Sequence, residues 1–237
     1  MPNFALFVTA TNASPKTLNA ALRIMRDSDE AFFAETNFVV LITGPSDEVR
    51  DEHINALPAT AIPLPVENGL HADSNAWAGQ SLVAVNAFMR ANDHAPGDKY
   101  LVSDEHADGY YPYNRWEDRG IDPGLWLVLD NKGLESATCL VCCRVYREGE
   151  EGDGSGSGLG EGMTNEFEAA QMHWGDVFGM LLQLSVGNLG FEDFVLNRSE
   201  EQQGEEQNVW QGRPDNVLSP EERDNILRDW KEAGYVD

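Results

Sequence analysis

The chain opens on an unbroken apolar run, Phe4-Ala5-Leu6-Phe7-Val8, rich in β-forming residues and closed by the Asn/Ser/Pro stretch 12–15, which predicts a buried strand. Ser14 then offers an N-cap, Pro15 suits the first helical position, and Leu18, Ala21, Leu22 and Met25 recur on one helical face. Phe38 to Thr43 (FVVLIT) is a second continuous apolar run, bounded by Gly44-Pro45 and expected to be covered on both faces. Strand, helix and strand in this order predict a parallel pair with a right-handed crossover.

Further along, Asp47 to Leu57 is polar with helical character, and Pro58 to Pro65 reads as an extended segment crossing the surface. Gln80 to Ala91 places Leu82, Val85 and Met89 on one helical face, and Asn92-Asp93 ends it. Lys99 to Ser103 has the look of a short edge strand, followed by a long aromatic, Gly- and Asp-rich loop, Asp104 to Pro123. Leu125 to Asp130 and Ala137 to Tyr146, separated by the turn-like Asn131-Lys132-Gly133, are strong strands assigned to the sheet's centre together with Phe38 to Thr43. Residues 148–163 form a low-complexity Gly/Ser/Glu insert with too little apolar surface to pack. A returning strand, Glu166 to Ala170, leads into a broadly apolar helix, Met172 to Val186. The acidic, Gln-rich stretch that starts at Ser199 reads as a linker through residue 218, ending the globular part at residue 198. Ser219-Pro220-Glu221-Glu222 combines an N-cap, a first-turn proline and a capping box, launching a C-terminal helix with Ile226, Leu227, Trp230 and Ala233 as its apolar stripe.

These elements predict an α/β fold: a single domain over residues 1–198 with a mixed β-sheet flanked by helices, plus an appended C-terminal helix in 219–237. The chain of 237 residues is long enough to bury a substantial core.

Charge narrows the function classes. With 16 Lys+Arg against 41 Asp+Glu and a net charge of −25, the chain lacks the clustered cations that phosphate contacts need, so no nucleic-acid partner is expected. Anionic headgroups would repel it, and no run reaches the roughly 18 apolar residues of a membrane span, so no membrane partner is expected. The first residues carry no basic n-region or long apolar core of a secretory signal, and the three cysteines are an odd, clustered set; both point to a reducing, cytoplasmic setting.

Two blocks carry a likeness to known sequences. Leu125 to Asp130 followed by Asn131 to Ala137 and Thr138-Cys139-Leu140-Val141, and the closing segment Leu184-Ser185-Val186-Gly187-Asn188-Leu189-Gly190-Phe191-Glu192-Asp193-Phe194, resemble a small, mostly bacterial family known only as a domain of unknown function. The resemblance covers about a third of the chain and implies an α/β fold, with no activity or catalytic residue attached. Physically, Gly187 and Gly190 allow a sharp turn through Asn188-Leu189 that returns Phe191 and Phe194 to the core.

Candidate chemistry is sparse. In a strand, Cys139 and Cys143 face one side and Cys142 the other, so their sulfurs diverge and read as core thiols rather than as a metal knuckle. His94, Asp98, Asp104, Glu105, His106 and Asp108 are the best metal-like cluster: His106 with Asp104 or Asp108, completed by His71 or Asp73, suits zinc or manganese, and Asp104, His106 and Asp108 would centre a metal-dependent hydrolase or other small-molecule enzyme. In a chain this acidic, a solvated loop is the simpler expectation, and no resident cofactor is expected, since no phosphate loop, dinucleotide fingerprint or nucleophile elbow stands in a strand-to-helix context. The aromatic loop is the most unusual feature: Tyr110, Tyr111, Tyr113, Arg115 and Trp116 are the residue types that dominate binding hot spots. The sequence therefore favours a non-enzymatic protein-binding or regulatory module that uses residues 108–120 on a protein partner, basic by charge complementarity.

Overall fold

The computed structural model describes residues 3–28, 38–41, 61–62, 65–91, 99–101, 110–112, 116, 120–146, 163–196, 209–214 and 218–237. In chain order the elements are β1 (Asn3–Val8), β2 (Asn12–Ala13), α1 (Pro15–Asp27), β3 (Phe38–Leu41), β4 (Ala61–Ile62), β5 (Leu70–His71), α2 (Leu82–Ala91), β6 (Lys99–Leu101), β7 (Tyr110–Pro112), β8 (Ile121–Leu129), α3 (Asn131–Ser136), β9 (Thr138–Tyr146), β10 (Met163–His173), α4 (Trp174–Ser185), a 3-10 turn at Phe191–Phe194, β11 (Val209–Gln211) and α5 (Pro220–Glu232).

The apolar runs do what continuous apolarity dictates and bury both faces of their strands. Phe4, Leu6 and Val8 point to one core and Ala5 and Phe7 to the other. The principal sheet has the order β11-β10-β9-β8-β1-β3-β4. It is mixed: β1 runs parallel to β3 and β8, β4 is antiparallel to β3, β9 to β8 and β10 to β9, and β11 is parallel to β10. The α/β architecture expected from the pattern is thus the observed one. Its centre differs: β1 lies between β3 and β8, and among the described residues β3 sits one strand from the edge, with the two residues of β4 extending the sheet beyond it.

On one face, Leu18, Leu22 and Met25 of α1 and Trp174, Val177 and Leu181 of α4 close over the sheet. The α1 terminus follows its sequence signal, since Ser14 Oγ accepts from the Thr17 amide at 3.1 Å and Pro15 occupies the first turn. On the other face, Val85, Phe88 and Met89 of α2 pack with Trp77 and Trp116 onto Phe7 and Trp126. A chain of edge-to-face rings runs through it, with Phe7 to Trp77 at 4.8 Å, Trp77 to Phe88 at 4.9 Å and Phe88 to Trp116 at 5.9 Å between centroids.

Several boundaries shift for identifiable reasons. Asn131-Lys132-Gly133 begins a short helix instead of a plain turn, because Asp130 caps it by accepting the Gly133 amide. A Cβ on Gly133 would stand 2.6 Å from the Thr138 carbonyl oxygen, so this packing needs glycine. The helix expected from Met172 starts at Trp174, since Met172 and His173 still pair with Cys139 and Thr138 in the sheet. Within the stretch read as a linker, Val209–Gln211 forms the edge strand β11, because its side chains find both cores: Val209 packs on the α2 side and Trp210 on the α1 side. The Gly/Ser insert lies outside the described residues except for Met163, which opens β10. Gly187 adopts a left-handed φ of 68° as the closing segment requires, whereas Gly190 does not, and Phe191 returns to the core.

The C-terminal helix docks on its own chain. Leu227 is buried, Arg23 Nε donates to the Ile226 carbonyl at 3.3 Å, and the Arg23 and Arg26 guanidinium groups lie over the Trp230 ring. Buried Asn19 acts as a three-way clasp: it bonds both backbone groups of Val66, at 2.7 and 2.9 Å, and donates to the Tyr235 carbonyl at 3.1 Å.

Candidate functional site

The topology creates a crevice. From β1 the chain crosses to β3 over the α1 face, and from β3 it passes through α2, on the opposite face, before returning as β8 on the other side of β1. From β1 the chain moves toward β3 and from β8 toward β9, so the strand order switches direction between the carboxyl ends of β1 and β8. Because α1 and α3 both pack on one face there, the α2 side of this sheet end is left open among the described residues, at the kind of position where α/β proteins place ligands.

The loop after β1 is clamped there by backbone pairing. Thr9 and Ala10 amides donate to the Leu129 carbonyl at 2.8 and 3.1 Å, buried Asn75 Nδ2 donates to the Val8 carbonyl at 2.6 Å, and the Gly79 amide donates to the Thr9 carbonyl at 2.8 Å. Gly79 makes this possible with a left-handed φ of 73°. A cleft of about 610 Å³ opens beside this junction, bounded by Thr9, Gln80 and Leu82 on one side and by the ends of β8 to β11 on the other.

Strand register composes its floor. Val128 of β8 stands opposite Leu140 of β9, Leu140 opposite Gln171 of β10, and Gln171 opposite Gln211 of β11. One row across four strands thus passes from two aliphatic side chains to two carboxamides. Gln171 is fixed, because Lys132 Nζ donates to its Oε1 at 3.2 Å while its Nε2 donates to Thr138 Oγ1 at 3.1 Å. The exposed side chains of Gln80 and Gln211 make no hydrogen bond to another described residue. Among the described residues of the lining, Asp130 and Lys132 are charged, one of each sign.

The residues singled out from sequence fare differently. Tyr110 and Tyr111 lie on β7, which pairs with β6 in a separate two-stranded sheet, while Tyr113 and Arg115 lie outside the described residues. Trp116 corrects the expectation of an outward ring: it is wholly buried, its Nε1 donates to the Met89 carbonyl at 3.0 Å and its ring abuts Phe88. The helix α2 offers the apolar ridge that captures it. His94, Asp98, Asp104, Glu105, His106 and Asp108 lie outside the described residues, and His71 and Asp73 are exposed in a turn closed by Ser74 and Asn75. Among the described residues no three His, Cys, Asp or Glu side chains gather as a metal site.

The thiols diverge as strand alternation requires, Cys139 and Cys143 toward the α1 side and Cys142 toward the α2 side. Burial pushes the Cys139 thiol pKa far up; burial and then the nearby Glu168, Asp122 and Glu192 carboxylates push that of Cys143 up to about 12. Neither presents a thiolate nucleophile near neutral pH.

Comparison with protein-family models, with curated proteins and with solved structures finds no match to this chain. The fold and the cleft therefore carry the functional argument by themselves.

Proposed function

We propose that this chain is a binding module that holds a small, uncharged polar molecule in the cleft at the carboxyl ends of β1 and β8. The observation that carries the reading is the coincidence of a cleft of about 610 Å³ with the switch point of the sheet. The lining supports an uncharged ligand, because among the described residues it carries one ammonium, on Lys132, which bonds Gln171, and one carboxylate, on Asp130, which caps α3. The net charge of −25 adds a field that disfavours polyanions. Free thiols at Cys139, Cys142 and Cys143 support a cytoplasmic location, where a reducing pool keeps them so. The protein-partner reading through residues 108–120 loses its tryptophan anchor to the core, and the hydrolase reading has none of its three central residues among those described.

The test is a ligand-observed NMR screen of uncharged heterocycles and polyols against the wild type and Leu140→Trp, whose indole would fill the cleft from its floor. Binding that Leu140→Trp abolishes is the expected result. Binding that is unaltered by it, or no binding at all, overturns the reading.

A further inference from the structure

Resting on the cleft reading, we infer that the ligand is a neutral heterocycle carrying adjacent hydrogen-bond donor and acceptor groups, the chemistry of a nucleobase or lactam, read by Gln211 and Gln80. A primary carboxamide presents an N–H donor and a carbonyl acceptor side by side, which is the complement of a lactam or aminopyrimidine edge and can be satisfied by two parallel bonds. The cleft offers two such groups whose capacity is not used by other described residues.

The third amide has another role. Gln171 spends its acceptor on Lys132 and a donor on Thr138, and Thr138 Oγ1 lies 2.9 Å from Ser136 Oγ. This chain of bonds makes Gln171 a positioning residue: it holds the Lys132 ammonium down on the sheet, and in the register it stands beside Gln211. Next to the amides, Val128, Leu140 and Leu82 line the cleft as buried aliphatic groups that leave only a narrow apolar strip, against which a flat ring can rest while its edge meets the carboxamides.

A sugar fits these groups poorly. Polyol recognition draws on carboxylates for vicinal hydroxyls and an aromatic platform for the ring face, and here the Asp130 carboxylate caps α3 while the aromatic residue of the lining, Trp210, packs on the α1 side. A nucleotide would bring phosphate charge into a cleft whose described residues offer one ammonium, already bonded to Gln171, on a strongly acidic chain, so the free base or nucleoside is favoured over its phosphorylated forms.

Isotope-edited NMR titrations of the full chain with uridine, adenosine, uridine monophosphate and glucose test this, reading the side-chain amide resonances of the glutamines. The expected result is that a nucleoside shifts the Gln211 and Gln80 amides. Gln211→Leu, at an exposed position where folding is not at stake, should then weaken binding about tenfold or more. Uridine monophosphate should bind no more tightly than uridine. If glucose binds in the cleft and the nucleosides do not, or if the monophosphate binds much more tightly, the ligand class is wrong while the cleft survives as a site. If none of the four probes perturbs the cleft residues and the Leu140→Trp screen also shows no difference, the site itself falls.

Discussion

Replacing Trp116 by alanine removes a side chain with no solvent exposure from the α2 face of the core. Truncating a buried Trp to Ala typically costs about 3–5 kcal/mol through lost transfer free energy and the cavity left behind. The ring's contact with Phe88 and the bond from Nε1 to the Met89 carbonyl at 3.0 Å place this substitution toward the upper part of that range. Against a total stability of about 5–15 kcal/mol, this is about a quarter of the fold's margin or more. With a urea slope of about 2–3 kcal/mol/M, the midpoint should fall by about 1.5–2 M. Circular dichroism in the far ultraviolet is the suitable probe, since the variant changes the tryptophan fluorescence itself. Trp116→Phe, which keeps a ring against Phe88 and drops the donor, should lose about 1–2 kcal/mol. A Trp116→Ala protein within about 0.5 kcal/mol of the wild type would place the ring at the surface and refute the packing argument.

Ala137 holds a left-handed φ of 54° at the end of α3, so Ala137→Gly should raise the melting temperature by about 1–3 °C, and a drop would show that the alanine methyl packs more than it strains. Gly133→Ala drives a Cβ against the Thr138 carbonyl and should cost about 1–3 kcal/mol in chemical denaturation; a neutral outcome would mean α3 can shift at no cost. Asn19→Ala should cost about 2–4 kcal/mol and speed amide hydrogen exchange in 219–237, because it releases Val66 and Tyr235 together; unchanged exchange there would sever the link to α5. The Cys143 pKa, raised to about 12 from an ordinary 9.0, means that above pH 9 the unfolded chain gives up a proton that the folded one keeps. Stability should then hold below pH 9 and fall between pH 9 and 12, with this thiol contributing up to about 1.4 kcal/mol per pH unit. The same fall in a Cys143→Ala variant would assign it to other groups.

Local signals were legible and long-range ones were not. Phe4 to Val8 and Phe38 to Leu41 announce buried strands because each carries the whole apolar run in itself, and the Ser219 to Glu222 box is visible because both of its reciprocal bonds span three residues. The edge strand Val209–Gln211 was hidden, since three residues after an acidic run become a strand only by pairing with Ala169 to Gln171. The fate of Trp116 depends on Phe88 and Met89, supplied by a helix that precedes it by more than two dozen positions, and an aromatic-rich loop looks the same whether its rings turn in or out. The cleft was the least accessible of all. Gln171 and Gln211 read individually as ordinary surface amides, and only the register of four strands aligns them with Leu140 and Val128. One clue did exist in β10, where Gln171 follows buried Phe167 and Ala169 on the same face and so puts an amide beside two apolar side chains.

A crystal structure of the chain grown with uridine or adenosine tests the central claim most directly. Density for the heterocycle against Val128 and Leu140, with its polar edge at the Gln211 carboxamide, is the result expected. Density elsewhere on the molecule, or a cleft filled by the chain's own side chains, would contradict it.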